Sequence, residues 1–244
     1  MIDPPREEVV DAIDKCYKAG INVKMITGDH VITASAIAEQ LGFKEIDIAN
    51  NVGAIDGVSL GKVVDEDLAS TAERLAVFAR VSPEQKYSLV RSLQSNGNIV
   101  AMTGDGVNDA PALKQANIGI AMGITGTEVS KDAADMVLAD DNFTSIVTAI
   151  EEGRGIFDNL IKFITWTLPT NLSEGLVILV AAFLGLSIPV SPLQILWINM
   201  STAVLLGMML AFEHKDIDVM TRVPRKPDAP IIDRVMAVRI LWVG

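Results

Sequence analysis

Apolar positions follow two rhythms along the chain, and the change between them falls near residue 160. Before it, short apolar runs alternate with helical patterns. The segments 22–26, 75–79, 99–102, 118–121 and 136–138 have the length of strands. Pro5 with the acidic Glu7 and Glu8 opens a first helix that closes at Gly20. Ser82-Pro83-Glu84-Gln85 supplies a capping box with proline at the first helical position, and that helix carries Lys86. Alternation at this spacing predicts a doubly wound, parallel α/β sheet. After residue 160 the apolar residues run together. Residues 163–186 contain one charge, Glu174, and residues 193–212 contain none. Both stretches reach the ~20 residues needed to cross a bilayer. A third run starts near Val235 and is still apolar at Gly244.

The expected division is therefore a soluble part, residues 1–160, and a membrane part, residues 161–244, with a loop at 213–234. Phe143, Ile146, Val147, Ile150 and Ile156 sit at helical spacing and predict a stalk leading into the first membrane helix. Gly153 and Gly155 weaken that helix. Residues 44–69 are acidic, glycine-rich and carry no recognisable chemistry, and Gly119 to Gly126 reads as a simple loop.

Charge and composition narrow the possibilities. The net charge is −11, which excludes a nucleic-acid partner, because phosphate neutralisation needs a basic face. Arg222, Arg225, Lys226 and Arg234 gather in the loop after the second apolar run. By the positive-inside rule that loop is cytoplasmic, on the side of the soluble part, so an integral, multi-pass membrane protein is expected. One cysteine, Cys16, allows no internal disulfide and suits a reducing compartment. No signal-peptide pattern precedes Asp3, and both chain ends read as truncations.

Two turns carry the candidate chemistry. Residues 22–26 lead into Thr27-Gly28-Asp29, and residues 98–102 lead into Thr103-Gly104-Asp105. In open parallel sheets ligands bind beyond the carboxyl ends of the strands, so two such turns can face one pocket. Magnesium takes one or two carboxylates plus phosphate oxygens, and Asp105 with Asp109 could supply them. Thr27 offers a hydroxyl and Gly28 an unobstructed N–H to a phosphoryl oxygen. Lys86 would bring positive charge to a transferring phosphoryl group. Taken singly, Thr27-Gly28-Asp29 is a turn and Lys86 a solvated helix charge. The longer string Gly104-Asp105-Gly106-Val107-Asn108-Asp109-Ala110-Pro111 is what gives them weight.

Asp3-Pro4-Pro5-Arg6, Thr27-Gly28-Asp29, the Lys86 helix and Thr103 to Leu113 stand in the order and spacing of the phosphorylation domain of P-type cation-transporting ATPases, which the chain resembles over essentially its whole length. The resemblance implies a haloacid-dehalogenase-like, Rossmann-like parallel sheet, here incomplete, followed by transmembrane helices. It also implies ATP and Mg2+ as cofactors. Asp105 would hold Mg2+, Asn108 and Asp109 would order the phosphorylation site, Thr27 would contact the phosphoryl group and Lys86 would neutralise its charge. The family's nucleophile is the aspartate of an Asp-Lys-Thr-Gly-Thr string, and no such string occurs here. Asp14-Lys15 is followed by Cys16 in a helical pattern and is no substitute. The nucleotide-binding and actuator domains and further membrane helices of such a pump would be supplied from elsewhere. An exposed apolar groove is expected where the central strand belongs.

Glu174 is costly near mid-bilayer, at least ~2.5 kcal/mol, and is a functional-site hypothesis by default. Asn171 lies three residues earlier on the same helical face, and Pro169 frees a backbone carbonyl. Asn199 and Thr202 repeat the spacing in the next run, at matching depth. Together they form a set of hard oxygen ligands for calcium or another hard cation. Taken one at a time, a protonated Glu174 bonded to a neighbouring helix, or Asn199 and Thr202 as hydrogen-bonding glue, would serve structure alone. The segments 171–174 and 197–202 are similar to the fifth and sixth membrane helices of calcium-pump-like members of the family. Ala203 stands where reticulum calcium pumps carry aspartate, which removes one negative charge from the set. Two rival functions remain: a membrane-anchored phosphatase of the dehalogenase type, and a non-catalytic partner or subunit of a split pump.

Overall fold

The computed structural model describes residues 7–44 and 53–243, so Asp3-Pro4-Pro5-Arg6 lies outside the described residues. The chain forms two compact units. The first comprises residues up to 148 together with 220–224, and the second comprises 149–219 and the residues from 225 onward.

The first unit is built from parallel strands and helices. Helix α1 (Glu7–Lys18) leads to β1 (Met25–Thr27), α2 (Val31–Gln40), β2 (Ala54–Asp56), α3 (Gly57–Leu60), α4 (Asp65–Arg74) and β3 (Val77–Ala79). Strand β3 lies between β1 and β2, parallel to both, with Ile26 and Ile55 opposite Phe78. Then come α5 (Pro83–Ser95), β4 (Ala101–Gly104), a single 3-10 turn (Val107–Asp109), α6 (Ala110–Gln115), β5 (Ile118–Met122), α7 (Glu128–Ala133) and β6 (Met136–Leu138). Strand β5 lies between β4 and β6, again all parallel. The doubly wound expectation is met by two three-stranded sheets. Strands β1 and β4 each have a strand partner on one side only among the described residues.

Strand β3 is buried on both faces, as a parallel strand between helical layers must be. Val77 and Ala79 pack with Ile13, Ala34, Ala38, Leu41 and Phe43. Phe78 points the other way, into Leu60, Ala72, Leu75 and Leu89. A third cluster joins the two sheets: Val90 of α5 packs with Met102 of β4, Ala112 and Leu113, and Ile26 of β1 lies against them. Residues 44–69 thus contain a strand and two helices that their composition did not reveal. Strand β2 is only three residues long and ends on Asp56, which caps α3 by accepting from Ser59 N–H at 2.7 Å. The capping box at Ser82 and Gln85 forms as expected.

Helix α8 (Phe143–Phe183) begins in the first unit and continues unbroken into the second. Its first turns, through Val147, pack on Ala12 and Cys16 of α1. The second unit also holds α9 (Pro192–Ser201), a single π turn (Thr202–Leu206), α10 (Gly207–Ala211) and α11 (Arg234–Val243). Among the described residues two helical stretches, Phe143–Phe183 and Pro192–Ala211, are long and apolar enough to cross a membrane. Within this unit the residues after α10 are fastened along α8. Asn159 donates to the Glu213 carbonyl at 2.7 Å, Lys162 pairs with Glu213 at 3.1 Å, and Lys215 pairs with Glu151 at 2.8 Å. The hydrogen bonds that Lys215 donates to Glu151 and then to Glu152 hold its ammonium above the ordinary lysine range. Gly155 explains itself here: a β-carbon would stand 2.9 Å from Lys215 Cβ. Gly207 makes the same accommodation for the Phe163 ring.

Replacing Phe78, 1 % exposed, by alanine is expected to destabilise the first unit by about 3–5 kcal/mol. Met136→Ala, at a 47 % exposed position, should change stability by less than ~0.5 kcal/mol. Equilibrium denaturation followed by circular dichroism reads both.

Candidate active site and cation pair

Thr27 is the last residue of β1, and Gly28 and Asp29 follow in an exposed turn. The Asp29 N–H donates to Thr27 Oγ1 at 3.1 Å, which leaves the hydroxyl proton free to point outward. Among the described residues no atom would contact a β-carbon at Gly28 within 4 Å. The chain's own packing therefore does not demand glycine there, whereas close approach of a ligand to the backbone would.

The turn after β4 is different, because it is packed. Asp109 is 7 % exposed. Its Oδ1 pairs with Lys86 Nζ at 2.5 Å and its Oδ2 accepts from Gly106 N–H at 3.3 Å. Gly104 makes room for it: a β-carbon there would fall 2.5 Å from Asp109 Cβ. Lys86, on the first turns of α5, is thus a partly buried partner of the motif and no solvated helix charge. Both Asp109 oxygens are engaged, so the carboxylate open to a ligand is that of Asp105, an exposed residue whose side-chain oxygens accept no hydrogen bond from any described residue. Asn108 is likewise exposed, at the crest of the 3-10 turn.

Two packing facts bring these residues to one edge. Ile26 and Met102, each one residue before a Thr-Gly-Asp, share a cluster with Val90, and Val90 lies one turn beyond Lys86 on α5. The arrangement suits a phosphoryl group. Backbone N–H and hydroxyl donors lie at β1, a lysine at α5 and a free carboxylate at β4. The described residues hold no cluster of three or more His, Cys, Asp or Glu side chains able to bind a metal ion by themselves. Magnesium fits such a place, since it takes one or two carboxylates and completes its shell with phosphate and water oxygens.

In the second unit, Asn199 Nδ2 donates to Glu174 Oε2 at 2.9 Å. The carboxylate on α8 and the amide on α9 meet at one level. Thr202 turns its hydroxyl back to the Ile198 carbonyl at 2.7 Å, and Asn171 is exposed. Of the four expected ligands the fold joins Glu174 to Asn199 and leaves the other two outside the pair. Thr202 also opens the π turn, a feature the sequence pattern did not announce.

Residues 1–117 match the haloacid dehalogenase-like hydrolase family, as do residues 85–150 by a second profile, and residues 187–244 match the C-terminus of cation transporting ATPases. The chain is 57 % identical, over its whole length, to the probable cation-transporting ATPase F of Mycobacterium tuberculosis, and 50 % identical to a calcium-transporting ATPase of Bacillus subtilis. It spans 27 % of the length of each. Among solved structures, a zinc-transporting PIB-type ATPase in the E2.Pi state is 28 % identical, with a TM-score of 0.59, over 90 % of this chain and 28 % of that one. A haloacid-dehalogenase-like unit joined to long apolar helices defines the class. The chain belongs to the P-type cation-transporting ATPases.

Lys86→Met leaves Asp109 buried without its cation and is expected to cost about 3 kcal/mol. Lys86→Met combined with Asp109→Leu should recover most of that loss. Denaturation midpoints of the four proteins in this cycle supply the coupling energy; a value below ~0.5 kcal/mol would show the pair to be incidental.

Proposed function

We propose that the chain is the magnesium- and phosphate-handling face, together with part of the ion path, of a pump that hydrolyses ATP through an aspartyl-phosphate and moves a hard cation across a membrane. The observation that carries this reading is the edge at β1 and β4: an open Gly28, the free carboxylate of Asp105 and a Lys86–Asp109 pair, with neither strand paired on its second side among the described residues. The nucleophilic aspartate is placed on a strand outside these residues that completes the sheet there. Gly28 N–H and the Thr27 hydroxyl donate to the phosphoryl oxygens, and Lys86 offsets their charge. Asn108 offers an amide at the rim. Asp105 would hold Mg2+, which would supply positive charge to offset that of the phosphate.

The cation site is the Glu174–Asn199 pair, with Asn171 and Thr202 joining through side-chain rotation. Its ligands are oxygens, which favours calcium or a similar hard ion over zinc. Alanine at 203 favours one ion over two. Helix α8 supplies the connection, because it begins beside the phosphate-handling unit and carries Glu174 itself. In this reading the soluble unit lies on the cytoplasmic side, the helices cross the bilayer more than once, and the remaining partners are the pump's nucleotide-binding and actuator domains and its other membrane helices.

The test is phosphorylation by ATP labelled in its γ-phosphate. Residues 1–244 alone should take up no acid-stable label, and addition of the pump's other segments should restore it. Asp105→Asn in that assembly should lower labelling by about 100-fold. Glu174→Gln should leave ATP-dependent labelling unresponsive to the transported cation. Label on an aspartate of the 244 residues by themselves would overturn the proposal.

A further inference from the structure

Asp141 carries more hydrogen bonds than either proposed site requires. Its Oδ1 accepts from Gly123 N–H at 2.7 Å and Ile124 N–H at 3.0 Å, and its Oδ2 accepts from the N–H and hydroxyl of Thr125, both at 2.8 Å. The residue sits in the left-handed region at φ 49°, a conformation that L side chains avoid unless their surroundings hold them there. The Ile124 N–H, followed by the Thr125 and Gly123 bonds, keeps the carboxyl far below the ordinary aspartate range, at about 2, against the opposing effect of burial. The clamped loop is shaped for this contact. A β-carbon at Gly123 would stand 2.7 Å from the Leu138 carbonyl, and one at Gly126 would run into the carbonyl of Met122.

The loop leads directly to Asp105. Thr127 N–H donates to the Asp105 carbonyl at 2.9 Å. Ser130, fully buried, has its hydroxyl 3.0 Å from the same carbonyl and 2.7 Å from that of Thr127. Thr127 also caps α7 by accepting from Ser130 N–H at 3.2 Å. On its other side Asp141 is two residues from the start of α8, whose first turn is fixed independently. Asn142 Oδ1 accepts from Thr144 N–H at 3.0 Å and Asp140 accepts from the Ser145 hydroxyl at 2.5 Å.

We propose that Asp141 is a positioning residue for Asp105: it clamps residues 123–125 to the segment that leads into α8, and the chain that follows them, through Thr127 and Ser130, sets the main chain that aims the Asp105 carboxylate. The inference rests on the reading of Asp105 as the magnesium carboxylate. Its consequence is that the start of α8 and the magnesium ligand move as one piece. A tilt of the helix is then felt at Asp105 through two peptide-group contacts and one buried hydroxyl.

The test uses the full 244-residue chain in detergent micelles, with Asp141→Asn, Ser130→Ala and Asp105→Asn. Amide hydrogen exchange is followed by mass spectrometry, and Mn2+ binding, as a stand-in for Mg2+, by electron paramagnetic resonance. Asp141→Asn should raise exchange about tenfold in 123–127, in 103–109 and in the first turn of α8, the size expected for losing a charge-assisted bond. Val77 to Ala79 should stay at the wild-type rate. Ser130→Ala, nearly isosteric, should raise exchange in 103–109 alone, and both variants should weaken Mn2+ binding several-fold. Exchange that rises only within 123–127, or that rises everywhere including β3, overturns the inference. So does Mn2+ affinity that stays unchanged in both variants. If Asp105→Asn itself leaves Mn2+ binding unchanged, the magnesium reading falls; if it abolishes binding while Asp141→Asn does not affect it, only the positioning role falls.

Discussion

The edge formed by β1, α5 and the turn after β4 depends on one ion pair. Lys86 and Asp109 come from different elements, α5 and the 3-10 turn after β4, and meet at 2.5 Å where both side chains are largely withdrawn from water. A pair of this kind gives little net stability, because desolvation offsets most of the attraction, but losing either partner strands the other. Its effect is geometric. It locks the turn that contains Asp105 and Asn108 against the helix whose next turn, at Val90, packs on both Ile26 and Met102. The free carboxylate of Asp105 and the open backbone at Gly28 acquire a fixed relation for that reason. Asp109, with both oxygens occupied, becomes the fixture that leaves Asp105 as the carboxylate open to a metal.

Small residues do comparable work wherever two parts of the chain approach closely. Gly104 admits Asp109, Gly155 admits Lys215 and Gly207 admits the ring of Phe163. In each case a β-carbon would occupy space already taken by the partner. Gly28, like Gly153 and Gly175, has no such neighbour within 4 Å among the described residues, so packing alone does not require glycine there.

The second unit follows different rules. Its apolar side chains are mostly exposed, Trp197 at 65 % and Leu205 at 66 %, so water-driven burial cannot be what shapes it. Polar attachments along one side of α8 do that instead, from Glu151 through Asn159 and Lys162 to Glu174. Such bonds count for more where neighbouring groups offer no water to compete.

Much of this was legible in the sequence. The apolar runs specified the long helices, since no shorter element accommodates them. The capping box at Ser82 announced α5, and the string from Thr103 to Leu113 announced a turn leading from a strand into a helix. What local pattern could not specify were relations between distant residues. Nothing near Lys86 indicates that its partner is Asp109, and nothing near Asp141 indicates that its carboxylate gathers three backbone N–H groups from 123–125. Strand β2 escaped notice because Ala54-Ile55-Asp56 offers a single large apolar residue inside an acidic, glycine-rich stretch, so no apolar run marks it. Sequence by itself determined which residues could carry charge, donors and membrane-length apolar surface, because composition and period fix those. Only tertiary structure decided which carboxylate stays free, which glycine faces outward and which ligands meet, because each depends on contacts between segments brought together by packing.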